Sequence, residues 1–157
     1  LFDLEPDQIE VVVHRQSVLH SAVEFEDFSV IGQMGVPDMR IPIQYALLYP
    51  YRTQCPTRPL SLTEYGTLTF EKPDLETFDC LAQCIEAVKK GGAYPCIVNA
   101  ANEVAVGAFL EGKISFLRIG ELVREASEHF PYTEPASYDD VLSVDTAVRE
   151  FVKKSIN

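Results

Sequence analysis

No stretch of this chain approaches the roughly 18 to 20 uninterrupted apolar residues that a membrane-crossing helix requires, and no charged n-region followed by an apolar h-region marks a secretory signal. A membrane partner is therefore not expected. Basic residues are scarce: thirteen Lys and Arg stand against twenty-four Asp and Glu, for a net charge of -11. A surface of that sign repels a phosphate backbone, and no Lys/Arg stripe interleaved with aromatics offsets it, which excludes nucleic acid. The four cysteines, Cys55, Cys80, Cys84 and Cys96, lack the paired CxxC spacing of a zinc site and are too few for a secreted disulfide scaffold. A reducing cytoplasm fits this usage. Cys80 and Cys84, four apart on a predicted helix, read as two small buried hydrophobes. There is no GxGxxG and no phosphate loop, so nothing here holds a dinucleotide pyrophosphate by the usual device. No internal repeat and no metal-ligand cluster is evident.

What is present suffices for a folded domain. In 157 residues, 46% are hydrophobic, enough to build a core. The chain opens on Leu1-Phe2-Asp3-Leu4, without an initiator Met or a leader, so the natural beginning of the domain is expected upstream. Composition and period change near Tyr51. Before it, the β-branched run from Ile9 to Val13 predicts a strand buried on both faces, and Ser21 to Asp27 and Ser29 to Met34 predict two more, paired as a hairpin through Asp27-Phe28. That turn lacks the glycine a tight reversal favours. Asp38 stands where a helix N-cap belongs, with a helix over Met39 to Leu48 that tolerates Pro42 in its first turn.

From Tyr51 to Asp74 the prolines at 56, 59 and 73 predict a linker, with Thr67 to Phe70 as a short edge strand. Beyond it the period is helical. Phe78, Leu81, Ile85 and Val88 form one apolar face ending at Gly91-Gly92; a second helix runs from Pro95 to Leu110. A third follows Ser115 with Leu117, Ile119, Leu122 and Val123 inward, and a fourth follows a Ser137-Tyr138-Asp139-Asp140 capping box and carries Val148 and Val152. The fold class is α+β: a partial β-sheet with one helix over residues 1–50, a linker over 51–74, and a small four-helix bundle over 75–157.

Chemistry-bearing residues gather at the front. His14 and His20 flank Ser17, and two imidazoles beside a hydroxyl suit the orientation of a phosphate, a substrate hydroxyl or a metal-bound oxygen. They equally suit satisfied polar positions at strand ends. Two histidines without a third ligand leave a metal mostly to water, which disfavours a metal-binding protein. Gly35-Val36-Pro37-Asp38-Met39-Arg40 is a turn feeding a helix start. There the free N–H groups offer an anion site and an exposed Met39 closes over a flat ring, or else Asp38 merely caps and Met39 is buried. Asn99-Ala100-Ala101-Asn102-Glu103 reads as a helix of small residues built for close packing. Glu24/Glu26 and Asp139/Asp140 read as a solvated strand face and a helix cap.

The segment Ile9-Glu10-Val11-Val12-Val13-His14-x-Gln16-Ser17-Val18-Leu19-His20-Ser21, followed by Gln33-x-Gly35-x-Pro37-Asp38-Met39-Arg40-x-Pro42-Ile43, closely resembles the 1-deoxy-D-xylulose 5-phosphate reductoisomerase family. Asn99 to Glu103 and Asp139-Asp140-Val141-Leu142 are similar to that family's C-terminal helical region, so the resemblance runs from about Leu1 to the end. It implies the C-terminal portion of an enzyme that converts 1-deoxy-D-xylulose 5-phosphate to 2-C-methyl-D-erythritol 4-phosphate with NADPH and Mg or Mn, in the non-mevalonate route to isoprenoids. It also implies a homodimer through the strand region. By the same resemblance, the cofactor domain, metal carboxylates, most phosphate contacts and lid belong to the N-terminal half missing here. Neither cofactor nor metal is then expected to bind this fragment tightly, and the fragment alone is expected to be inactive. His20 and Ser17 match the HxQSxxHS motif bordering the substrate, and Pro37 and Met39 match the turn that meets substrate and nicotinamide. Arg15 stands where many members have proline, and Phe28 where glycine often follows the aspartate. A second reading is a stand-alone dimerisation module derived from that enzyme, since open strand edges tend to pair.

Overall fold

A computed structural model describes residues 4–156. Leu1 to Asp3, from which the upstream beginning is expected, lie outside the described residues. The chain divides into two compact units, one over 11–72 and one formed by the residues before 11 together with those from 73 onward.

The first unit is built on a two-stranded antiparallel sheet of β1 (Leu19–Glu24) and β2 (Val30–Met34). Ala22 faces Gly32 and Val23 faces Ile31, and the register slips between Leu19 and Ser21, so that His20 is the extra residue of a β-bulge. The predicted hairpin forms with a three-residue loop. Phe28 N–H donates to Phe25 O at 2.8 Å and Phe25 N–H to Ser29 O at 2.9 Å, while the Asp27 carboxylate accepts from Ser29 N–H at 3.0 Å and Ser29 Oγ–H at 2.6 Å. This is a type I turn followed by a left-handed residue, a position that glycine fills at least cost. Phe28 occupies it at φ +64° with its ring 83% exposed.

Two predicted strands are absent. Ile9 to Val13 is extended chain with a single bridge from Val13 to Glu71, and its apolar side chains are exposed rather than buried on both faces, because no second strand flanks it among the described residues. Thr67 to Phe70 forms no edge strand, because side chains take its ladder positions. His14 Nδ1–H donates to Thr69 O at 2.8 Å, Thr69 N–H donates to Gln16 Oε1 at 3.2 Å, and Gln16 Nε2 donates to Thr69 Oγ1 at 3.0 Å. Arg15 forks onto Glu71 at 3.0 and 3.4 Å. Helix α1 (Arg40–Leu48) follows β2, and Gln44 on it donates to Thr53 Oγ1 at 2.6 Å; a single turn, α2 (Leu62–Tyr65), completes the unit. Val18 and Val36 are its buried apolar residues.

The second unit is helical: α3 (Cys80–Lys90), α4 (Tyr94–Leu110), α5 (Phe116–His129) and α6 (Tyr138–Ile156). A short 3-10 turn at Pro6–Gln8 packs against α3. Helix α4 is central. Its Ala100, Ala101 and Ala105 are wholly buried, and small side chains bring the backbones of α5 and α6 close enough for Leu122, Val123, Val148 and Val152 to fill the interior. The Ser137 cap accepts Asp140 N–H at 3.2 Å, and Asp140 reaches back to Ala136 N–H at 3.0 Å.

Helix α3 presents a different face from the predicted one. Phe78 and Val88 are more than half exposed, and Cys80 and Ala87 pack on the core. Polar anchors set this rotation: Gln83 Nε2 donates to Asp79 Oδ2 at 3.0 Å and to Gly120 O at 3.1 Å, and Asp79 pairs with Arg124. A Cβ on Gly120 would lie 2.2 Å from Asp79 Oδ1, so this close approach needs glycine. Cys80 is part-buried, its thiol pushed up by desolvation and the neighbouring Asp79, whereas Cys84 is exposed rather than buried. Leu117, predicted to face inward, is 60% exposed, and Gly120 and Ala126 take the inner positions. No helix among the described residues is long and apolar enough to cross a membrane.

The left-handed Phe28 gives a direct test. Replacing Phe28 with Gly relieves about 1 to 2 kcal/mol of steric cost and returns about 0.5 to 1 kcal/mol of chain entropy. Phe28→Gly is therefore expected to stabilise the first unit by roughly 0.5 to 1 kcal/mol in urea unfolding, and a loss of stability would refute this turn geometry.

Candidate functional site

The four residues singled out by sequence all lie in the first unit, in the turn before β1, on the bulge of β1 and in the loop after β2. Ser17 closes a turn in which its N–H donates to His14 O at 3.1 Å, at a left-handed φ of +48°. That reversal drops Val18 into the interior and releases the chain into β1. His20 follows on the bulge, exposed, with Nε2 3.1 Å from Ser17 O and Nδ1 3.0 Å from Gln33 Oε1. Ser17 and His20 are thus brought together, through the Ser17 carbonyl rather than its hydroxyl.

His14 is engaged elsewhere. Its Nδ1–H bonds Thr69 O, its ring stacks on Phe70 with centroids 4.6 Å apart and planes at 15°, and its Nε2 is buried without a partner. The two imidazoles therefore have separate partners and do not form a ligand pair. No group of three or more His, Cys, Asp or Glu able to hold a metal occurs among the described residues. The side chains present do not fit a metal site.

After β2, Gly35 N–H donates to Val18 O at 3.0 Å, and Val36 is buried, which turns Pro37 and Met39 outward. Met39 is 71% exposed on the last residue before α1. Met39 is thus exposed rather than buried, while the Arg40 N–H at this helix start is taken by Asp38 rather than free. Asp38 is not itself the N-cap; Met39 takes that position with helical dihedrals, because Asp38 folds onto Arg40. Asp38 Oδ1 accepts Arg40 N–H at 2.9 Å, and the carboxylate is gripped by the guanidinium, with Nη2–Oδ2 at 2.5 Å. The loop presenting Pro37 and Met39 is thus fastened on both sides, by a buried valine and by an ion pair.

Two open clefts of about 480 and 510 Å³ lie in the helical unit, and none of Ser17, His20, Pro37 and Met39 lines either. Each of the four is exposed. The sequence gives Gln33 no role; its contact with His20 depends on the bulge, which no residue pattern announces.

The Arg40 side chain, then the Arg40 N–H, hold the Asp38 carboxyl down at about 2. A depressed carboxyl stabilises the fold fully above its unfolded value of about 3.9, and the stabilisation is lost as pH falls through the folded value. The Asp38 carboxyl carbon is therefore expected to titrate with a midpoint near 2 by NMR, with the Met39 methyl resonance following it. A midpoint near 3.9 would show that the turn is not held by this pair.

The sequence profile of the DXP reductoisomerase C-terminal domain matches residues 34–151. The chain is 51% identical over 154 residues to 1-deoxy-D-xylulose 5-phosphate reductoisomerase of Clostridium botulinum strain Hall, covering 98% of this chain and 40% of that protein. The reductoisomerase of Chloroherpeton thalassium is 51% identical over 152 residues, covering 97% of this chain and 39% of its own length. Among solved structures, the Zymomonas mobilis reductoisomerase in complex with NADPH superposes with a TM-score of 0.86 at 42% identity, over 94% of this chain and 39% of that one. A reductoisomerase in complex with NADPH, fosmidomycin and magnesium gives 0.91 at 38% identity, over 99% and 40%. The chain thus spans about 40% of the length of these relatives. With the matched profile covering most of it, the chain belongs to the DXP reductoisomerase C-terminal domain family.

Proposed function

We propose that this chain is the C-terminal portion of an NADPH- and divalent-metal-dependent reductoisomerase that converts 1-deoxy-D-xylulose 5-phosphate to 2-C-methyl-D-erythritol 4-phosphate in the cytoplasm. Its similarity over 98% of its own length to 40% of a curated reductoisomerase carries the reading. Ser17, His20, Pro37 and Met39 form one wall of the pocket for substrate and nicotinamide. Residues 11–72 are the distal part of the catalytic domain, and those before 11 together with those from 73 onward belong to the helical unit. The metal and the cofactor pyrophosphate bind in the upstream half.

Hydride transfer needs cofactor, metal and substrate held within near-attack distance, and one wall cannot hold all three. The isolated chain is expected to oxidise no NADPH above background with 1-deoxy-D-xylulose 5-phosphate and Mg. Turnover by the chain alone would overturn the reading. The reading frame upstream of Leu1 is the companion test: a strand-helix chain with a glycine-rich turn and a later acidic cluster is expected, and a start codon there favours the alternative.

That alternative is a stand-alone dimerisation module derived from the enzyme. The hairpin supports association under both readings, since Val23, Val30 and Ile31 are each about 60% exposed on a sheet of only two strands. Light scattering is expected to give the mass of a homodimer paired through β1 and β2. A monomer at tens of micromolar would count against it.

A further inference from the structure

We infer that Gln33, together with the Ser17 carbonyl, is a positioning residue that locks His20 as a neutral ring protonated on Nε2. On this inference His20 serves the pocket as a fixed edge rather than as a proton carrier or metal ligand. The inference rests on the proposed pocket wall. It starts from Ser17 O, a carbonyl that can only accept, 3.1 Å from His20 Nε2. Nε2 must therefore carry the proton. On a neutral ring Nδ1 is then a lone pair, and it lies 3.0 Å from the end of the Gln33 carboxamide.

A lone pair facing Oε1 would be repelled. The carboxamide has a second orientation, half a turn away, in which its NH₂ donates to Nδ1. Among the described residues the Gln33 amide nitrogen makes no other hydrogen bond, so the half-turn breaks none. The bulge brings these groups together, since His20 is the extra residue between Leu19, opposite Met34, and Ser21, opposite Gln33. Bulges re-aim a side chain, and this one points the ring back along its own strand onto Ser17 and across onto Gln33.

With both nitrogens hydrogen-bonded within the chain, what the exposed His20 presents to a ligand is the carbon edge of its ring.

The chain contains three histidines, which makes the test tractable. In the 157-residue chain labelled with ¹⁵N-histidine, long-range ¹H–¹⁵N correlation at pH 7.5 is expected to show His20 with Nε2 protonated and Nδ1 as acceptor, assigned by the signal lost in His20→Asn. Protonation on Nδ1, on both nitrogens, or the averaged pattern of a free imidazole would each overturn the inference. In Gln33→Leu the His20 pattern is expected to move to that average while the Ala22–Gly32 cross-strand contact persists; an unchanged pattern would overturn the inference. Should that variant fail to fold, the wild-type spectrum alone decides. In the chain joined to its upstream half, Gln33→Leu is expected to lower kcat/KM about two- to tenfold, the range one neutral hydrogen bond supports, chiefly through KM. An unchanged kcat/KM alongside a confirmed lock would leave the lock standing and overturn the pocket-wall role of His20.

Discussion

The first unit depends on an exchange of hydrogen bonds between the turn at 13–17 and the strip at 69–71. Val13 and Glu71 trade backbone bonds at 2.9 Å each way, and beside them His14, Arg15 and Gln16 use side chains where a sheet would use its ladder. The residues joined are 55 apart in sequence, so the contact closes a long loop whose entropy must be offset by several bonds at once. Within that closure lie the β1–β2 hairpin and α1. Arg15 contributes to it as well. Its pair with Glu71 is exposed and screened by solvent, so it adds little. The backbone bridge and the bonds of His14 and Gln16 therefore hold most of the closure.

The helices were legible because their signals are local. Ser115 and Ser137 stand immediately before their helices, Gly91 and Gly112 follow theirs at positive φ, and Val148 and Val152 of α6 are buried. Helix α3 shows the limit of that reading. Its apolar period points one way, and Asp79 and Gln83, bound to Gly120 and Arg124 of another helix, turn it a different way. Two of the predicted strands failed for a related reason. Ile9 to Val13 has the composition of a buried strand, and among the described residues it has only the Glu71 bridge. Composition reports what a segment is suited to; pairing requires a partner.

The candidate site was legible as a list of residues and not as an arrangement. His14 and His20 look equivalent in the sequence, yet one is stacked under Phe70 and the other is exposed on a bulge. Pro37 and Met39 gain their exposure from Val36, whose burial fixes the face that the loop turns outward. Such distinctions arise from register and burial, which become visible only when distant segments are brought together.

The helical unit is discontinuous in sequence. Its first piece, the turn at Pro6–Gln8, packs on α3, whose residues begin at Cys80, and the whole of the other unit is made in between. During synthesis at roughly 5 to 20 residues per second, that opening turn waits several seconds for its partner to emerge. The four helices, contiguous from Cys80 onward, can meanwhile assemble through contacts near in sequence. Docking of the opening turn is thus a late event, and a cut anywhere within 11–72 would leave it held to the helices without a covalent link.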